Sequence, residues 1–369
     1  MADITIPKEL LPEDGRFGCG PSKVRDEAMD AFHQSGRSVM GTSHRKAPVK
    51  DMIARIRTGM AAYFHLPEDY TVALSNGGAT LFWDAATFGL IEARSAHAVF
   101  GEFSSKFAHS VDLAPHLDDA VRIEAPPGFA PKVDPVDGVD VYALTHNETS
   151  TGVAMPVRRP SEDGLVLVDA TSAAGAMAVD PHEFDAYYFS PQKAFGAEAG
   201  LWVALLSPAA QERIRALGAT RPTPPSLDLS IVLDNSEQNQ TYNTSAVASL
   251  FFLAHSVEAM AERGFDAIVA EAKDRSAIIY EWAEAREWAE PFVHDDMNRS
   301  AVVATVNLAD HIHAAEVNRI LRANGIYDTD AYRKLGTNQL RVGLWPSMPL
   351  ADVQAFTASV DYVVEQLTS

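Results

Sequence analysis

Three short runs in the middle of the chain are apolar without interruption: Leu165-Val166-Leu167-Val168, Ala186-Tyr187-Tyr188-Phe189 and Leu201-Trp202-Val203-Ala204-Leu205-Leu206. Runs of this length, bounded by turn residues, predict strands buried on both faces of a sheet. Weaker runs at 71–75, 98–100 and 139–145 predict further strands. Helical spacing separates them: 49–64, then Ala79, Phe82, Trp83, Ala86 and Leu90, then 102–113. Strands alternating with helices or long crossovers predict an α/β unit with a mainly parallel sheet.

The ends of the chain read differently. The first forty residues carry Pro and Gly punctuation and predict an irregular arm. Arg221-Pro222-Thr223-Pro224-Pro225-Ser226 breaks the α/β pattern, and two helical stretches follow at 245–263 and 265–288. A strand at 302–306, a helix at 314–324 closed by Gly325, a strand at 339–344 and a helix at 350–367 predict a smaller α+β unit. Two domains are therefore expected, 1–264 and 265–369.

Composition narrows the partners. The 369 residues include 30 basic and 50 acidic ones, for a net charge of −20. That surface is unsuited to nucleic acid or anionic membrane, and it leaves small anionic substrates open because these depend on local charge. The single cysteine, Cys19, excludes an intrachain disulfide and a cysteine-rich zinc site, so no metal is expected. Met1-Ala2-Asp3-Ile4-Thr5-Ile6-Pro7 lacks a basic region followed by an apolar run, and no apolar stretch is of bilayer length. A cytoplasmic location is the resulting expectation.

The candidate chemistry centres on Lys193, four residues past the end of the 186–189 run, in Ser190-Pro191-Gln192-Lys193. A lysine there can be partly desolvated and made nucleophilic. Asp169 ends the 165–168 run. Adjacent parallel strands would bring this acid and amine to one sheet edge, the pairing that a pyridoxal phosphate enzyme requires. Asn76-Gly77-Gly78-Ala79-Thr80 lies between a strand and a helix, as a tight turn or as a phosphate cup at a helix start. His146-Asn147-Glu148-Thr149 follows a strand end, where Asn and Thr can line a pocket and His146 reads as a structural histidine. Asn239-Gln240-Thr241-Tyr242-Asn243-Thr244-Ser245 offers either a helix cap or phosphate donors. His44, Arg45, Arg333, Lys334 and Arg341 are the candidate substrate cations. Arg341, in a strand with apolar neighbours, calls for an anionic partner, ligand or side chain. His311 and His313 gather no further metal ligands.

These segments, with Gly18-Cys19-Gly20-Pro21-Ser22, Thr42-Ser43-His44-Arg45, Val168-Asp169-Ala170-Thr171-Ser172, Tyr332-Arg333-Lys334-Leu335-Gly336 and Gln339-Leu340-Arg341, occur in the order found in the phosphoserine aminotransferases. The chain resembles that family from about Gly15 to its end. The resemblance implies a fold-type I pyridoxal phosphate enzyme, with a seven-stranded, mainly parallel sheet in the large domain, and a homodimer with active sites at the subunit interface. It implies Lys193 as the Schiff-base lysine, Asp169 as the pyridinium partner and Thr149 near the ring hydroxyl. Ala79, Thr80, Thr171 and Gln192 match cofactor contacts, and Asn243 and Thr244 match phosphate contacts from the neighbouring subunit. His44, Arg45 and Arg333 match substrate-anion ligands, and Arg341 matches the α-carboxylate clamp.

Two positions depart from many members. Phe103 stands where tryptophan stacks on the ring, and Thr80 stands where arginine meets the phosphate. The implied reaction converts L-glutamate and 3-phosphohydroxypyruvate to 2-oxoglutarate and O-phospho-L-serine in serine biosynthesis, with a phosphorylated threonine of pyridoxine biosynthesis as a further substrate to consider. The alternatives are a serine- or alanine–glyoxylate type transaminase and a catalytically silent cofactor-binding protein.

Overall fold

The computed structural model describes residues 4–369. The first three residues, which open the stretch read for a leader, lie outside the described residues. In chain order the large unit contains α1 (Asp26–Ser35), α2 (Ala47–Tyr63), β1 (Thr71–Asn76), α3 (Ala79–Gly89), β2 (Ser95–Val99), α4 (Glu102–Asp112), β3 (Val121–Glu124) and β4 (Val141–Thr145). It continues with the short pair β5 (Asn147–Glu148) and β6 (Val153–Ala154), then β7 (Leu165–Asp169), β8 (Ala186–Phe189), β9 (Leu201–Leu206), α5 (Pro208–Thr220), α6 (Leu229–Glu237) and α7 (Val247–Arg263). The remainder is α8 (Phe265–Glu284), β10 (Ala289–Pro291), β11 (Val303–Leu308), α9 (Ala314–Ala323), β12 (Gln339–Gly343) and α10 (Leu350–Thr368).

Seven strands form one sheet in the order β1-β9-β8-β7-β4-β2-β3. It is parallel from β8 to β3, and β9 runs antiparallel to both of its neighbours. The apolar runs are continuous because both faces are covered. Tyr187 and Phe189 enter a cluster with α2 and α7, whereas Ala186 and Tyr188 enter another with α3, α5 and α6. Each large apolar side chain taken from water there contributes about 1.5–3 kcal/mol.

A third cluster joins β10–β12, α9 and α10 to the C-terminal half of α8, and Ile6 and Phe17 of the N-terminal segment are buried in it. The N-terminal half of α8 packs instead on the large unit through Phe265, Ile268 and Val269.

Several expectations need correction. The first forty residues are not wholly irregular: α1 forms within them, and it was hidden because it buries only Ala28. β3 alternates half-buried and exposed residues at one edge of the sheet, so it lacks an apolar run. α5 and α6 flank the Pro-rich break, each capped by an N-terminal side chain, Ser207 and Asp228. Neither Thr244 nor Ser245 caps α7, which starts after Ala246. Thr241 Oγ1 bonds the Asn243 carbonyl and Ser245 Oγ instead.

Candidate active site

Lys193 sits in the loop that turns the chain from β8 into antiparallel β9. Buried Ser190 donates its hydroxyl to the Leu201 carbonyl at 2.8 Å, and the Gly196 amide closes a turn on the Lys193 carbonyl at 2.9 Å. The N-terminal segment clamps this loop. Ser22 N donates to Gln192 O at 2.8 Å, and Ser22 Oγ donates to Lys193 O at 2.5 Å. Gly20 is needed for that approach: at φ 125° a Cβ there would lie 2.8 Å from Lys193 Cε. Lys193 is left only 8% exposed, and its amine donates to Thr149 Oγ1 at 2.8 Å. Burial lowers its pKa to about 8, against an opposing pull from the Asp169 charge.

Asp169 ends β7, in register with Tyr188 of parallel β8, so the expected juxtaposition of acid and amine is present. Its Oδ1 accepts the Thr171 amide at 2.9 Å, and its Oδ2 accepts the Trp83 indole N–H at 3.1 Å. Burial raises its pKa; the Thr171 amide and the Lys193 charge oppose that shift. Among the described residues no cation lies within ion-pair distance of it. The Thr149 hydroxyl donates to Ser172 Oγ at 3.0 Å, and Ser172 donates to the Asn147 carbonyl at 2.9 Å. His146 is structural, as read: its Nδ1 lies 3.0 Å from Tyr187 OH, and burial lowers its pKa to about 4.

These residues open into a cavity of about 980 Å³. Its wall includes Ala79, Thr80, Phe103, Thr149, Asp169, Thr171, Gln192, Lys193 and Arg341. Arg341 arrives from β12 of the C-terminal unit. Its guanidinium donates to the Thr149 carbonyl at 3.1 Å and to the Asp330 carbonyl at 3.4 Å, and it lies 5.3 Å from the centre of the Tyr332 ring. Among the described residues no acidic side chain pairs with it, so its charge faces the cavity held by carbonyl dipoles and the Tyr332 ring.

The other predicted residues do not line this cavity. Arg333 borders a smaller pocket of about 270 Å³ that shares Asp328, Tyr332 and Arg341 with the larger one. Arg45, Asn243 and Thr244 are exposed. His44 is buried with no partner at Nε2. Asn76, at the end of β1, donates to the Thr244 carbonyl at 2.7 Å and holds that segment close to Gly77.

Three residues carry more of the site than their sequence context suggested. Trp83 was read only as an apolar helix position, yet it supplies a donor to Asp169; its place one turn into the helix after Gly77-Gly78 is the signal that points it at the sheet. Ser172 links Asn147 and Thr149. Glu148 is fully buried and accepts from the amides of Phe103 (3.1 Å) and Ser104 (2.9 Å) and from the Ser150 hydroxyl (2.7 Å). It thereby anchors the start of α4 that presents Phe103 to the cavity. A helix start at Glu102 with no Ser, Thr, Asp or Asn before it was the available clue.

The aminotransferase class-V family model matches residues 132–329. The phosphoserine aminotransferase of a Nocardioides species is 52% identical, with 99% of each chain covered, and that of Rhodococcus opacus is 52% identical over 98% of each. The solved phosphoserine aminotransferase of Cytophaga hutchinsonii superposes with a TM-score of 0.87 at 26% identity, covering 95% of this chain and 99% of its own.

The chain belongs to the class-V aminotransferase family.

Membership in the family makes it a fold-type I transaminase with pyridoxal phosphate as cofactor. The donor set fits that group. A buried amine and a buried acid face one cavity, and α3 opens on it with no side chain capping its start, leaving free amide N–H groups for a phosphate. Asn147 Oδ1 and Gln192 Oε1 are buried on the same wall without hydrogen-bond partners.

Proposed function

We propose that the chain transfers the amino group between L-glutamate and 3-phosphohydroxypyruvate, giving 2-oxoglutarate and O-phospho-L-serine. The observation that carries this reading is Arg341: a guanidinium hydrogen-bonded only to carbonyls, reaching from the C-terminal unit into the cavity that holds Lys193 and Asp169. Both substrates of the reaction carry an α-carboxylate for it, and the relatives at 52% identity carry the corresponding name.

When bound, pyridoxal phosphate supplies the carbonyl carbon that takes up the amino group and a ring that absorbs charge from the substrate Cα. Lys193 would hold its aldehyde end, Asp169 its pyridine nitrogen and the start of α3 its phosphate. Asp169, unpaired with any side-chain cation, is free to keep a ring nitrogen protonated. Lys193, lowered to about 8, loses its proton far more readily than a free lysine and can, once neutral, take a proton at the substrate Cα and return it. Arg341 orients the α-carboxylate, and the Thr149 hydroxyl holds the resting amine by hydrogen bonding.

We further propose a homodimer, in which a second copy brings Asn243, Thr244, His44 and Arg45 to the site. Their absence from the cavity wall of one chain supports this reading. Arg333 completes the substrate-phosphate contacts from the adjoining pocket. We propose two domains, 1–264 and 265–369, joined through α8, whose two halves belong to different clusters. A cytoplasmic role in serine biosynthesis accords with the substrates; no helix among the described residues is long and apolar enough to cross a membrane.

A donor panel tests the function. With 2-oxoglutarate as acceptor, O-phospho-L-serine is expected to exceed L-serine and L-alanine in kcat/KM by at least about 100-fold, since a site built for an anionic group leaves its cations unpaired with neutral donors. Equal use of alanine, or a preference for glyoxylate as acceptor, would assign the serine- or alanine–glyoxylate reading instead. No turnover with any donor would assign the silent one.

A further inference from the structure

Behind the loop that clamps Lys193 lies another cavity, of about 530 Å³. Arg25 lines it from just before α1, Arg263 from the end of α7, and residues 345–349 from the turn before α10. Arg275 of α8, 2% exposed, lies beside Arg263, and both guanidiniums bond the one carboxylate of Glu271. Their remaining partners are carbonyls: Pro346 O for Arg263 at 3.1 Å and Met348 O for Arg275 at 2.8 Å. Arg25 Nε and Nη2 and Arg275 Nη1 are shut off from solvent and have no hydrogen-bond partner.

The nearby acids do not make up the difference. Asp14 and Asp26 are engaged by Arg16 and Lys23, and Asp352 accepts the Glu13 amide. Glu27 lines the cavity and attracts Arg25 through space without a hydrogen bond. Burial, followed by the Arg263 charge, lowers the Arg25 pKa to about 10. A buried guanidinium with idle N–H groups is costly, and its fork matches two oxygens of a carboxylate or phosphate.

We propose that this cavity is a second anion site, separate from the catalytic one, in which Arg25 binds a small oxyanion, phosphate or carboxylate, and Arg263 and Arg275 supply supporting charge. The two cavities are close neighbours. Arg16 and Lys23 line both, and Trp345 on the wall of the second donates to the Gly18 carbonyl at 2.8 Å, in the segment that clamps Lys193.

Melting of the holoenzyme in a buffer free of phosphate and carboxylate, then with inorganic phosphate or succinate added, tests the proposal. Wild type should gain on the order of 2 °C at roughly tenfold excess of the bound ion over its Kd. Arg25→Met should lose most of that gain, any remainder being the catalytic cavity's own affinity for the ion, and melt at or above wild type without the ion, because an unpaired buried charge has been replaced by an apolar chain. Arg341→Ala, altered only in the catalytic cavity, should keep most of the gain. A response to one ion alone identifies which oxyanion the site prefers. If wild type and Arg25→Met respond alike, or neither ion shifts wild type, the site does not exist. Should Arg25→Met fail to fold, wild-type holoenzyme crystals soaked in selenate decide the matter: an anomalous peak at Arg25 supports the site and an empty cavity overturns it.

Discussion

At the floor of the catalytic cavity, Lys193, Asp169, Thr149 and Ser172 are buried and joined to one another or to Trp83 and the backbone by hydrogen bonds of 2.8–3.1 Å. At its rim, by contrast, Arg45, Asn243 and Thr244 are exposed and Arg333 faces an adjoining pocket, so of the predicted cations only Lys193 and Arg341 line the cavity. The floor comes from the ends of neighbouring strands, whose register fixes side-chain positions within one chain. The rim comes from loops, which owe their positions to whatever packs on them. Within one chain the buried acid and amine are already in place, whereas Arg45, Arg333, Asn243 and Thr244 are not on the cavity wall.

The sharpest way to break this contrast is at the floor. Lys193→Ala should lower transamination by at least about 10⁴-fold, since both the cofactor anchor and the proton carrier are lost. The visible absorbance of the lysine-bound cofactor should go with it. Retained activity would remove the basis for the contrast.

A smaller effect is expected where the floor meets the rim. Arg341→Ala should raise KM for both glutamate and the oxo acid by roughly 10–100-fold, from a charge-assisted bond of about 1.5–3 kcal/mol. A rise for only one substrate would confine Arg341 to one anion and contradict the clamp role.

The smallest effect is on stability. Lys193 titrates near pH 8 in the folded chain and near 10.5 when unfolded, so the unfolded chain holds the proton more tightly. Keeping the buried amine charged therefore destabilises the cofactor-free protein below pH 8, and the penalty is relieved as pH rises from 8 to 10.5. Lys193→Met should accordingly be more stable than wild type at pH 7 by up to about 3 kcal/mol, with the gap closing by pH 10 in urea titrations. A gap independent of pH would place the lysine in contact with water.

The same division explains what the sequence revealed. β8 and β9 were legible to the residue because both faces of the sheet are covered and no polar position interrupts them. Lys193 and Asp169 were legible as the polar residues that end such runs. The antiparallel direction of β9 was not, since an apolar run has no direction; it is the eleven-residue connection from Ser190 to Gly200, too short for a helical crossover, that reverses the chain. Glu148 and Trp83 were missed because their roles lie in long-range bonds, to the start of α4 and to Asp169, that periodicity does not encode. The exposed rim residues carried family resemblance, and the proposed dimer is what would supply a surface for them to meet.

Subunit mixing tests the central claim most directly. Lys193→Ala is combined with a second inactive variant, Asn243→Ala/Thr244→Ala, and the pair is unfolded and refolded together. If one chain supplies the floor and its neighbour the rim, each mixed dimer regains one intact site, and statistical mixing should restore about a quarter of wild-type activity. A mixture no more active than its two parents would contradict the account.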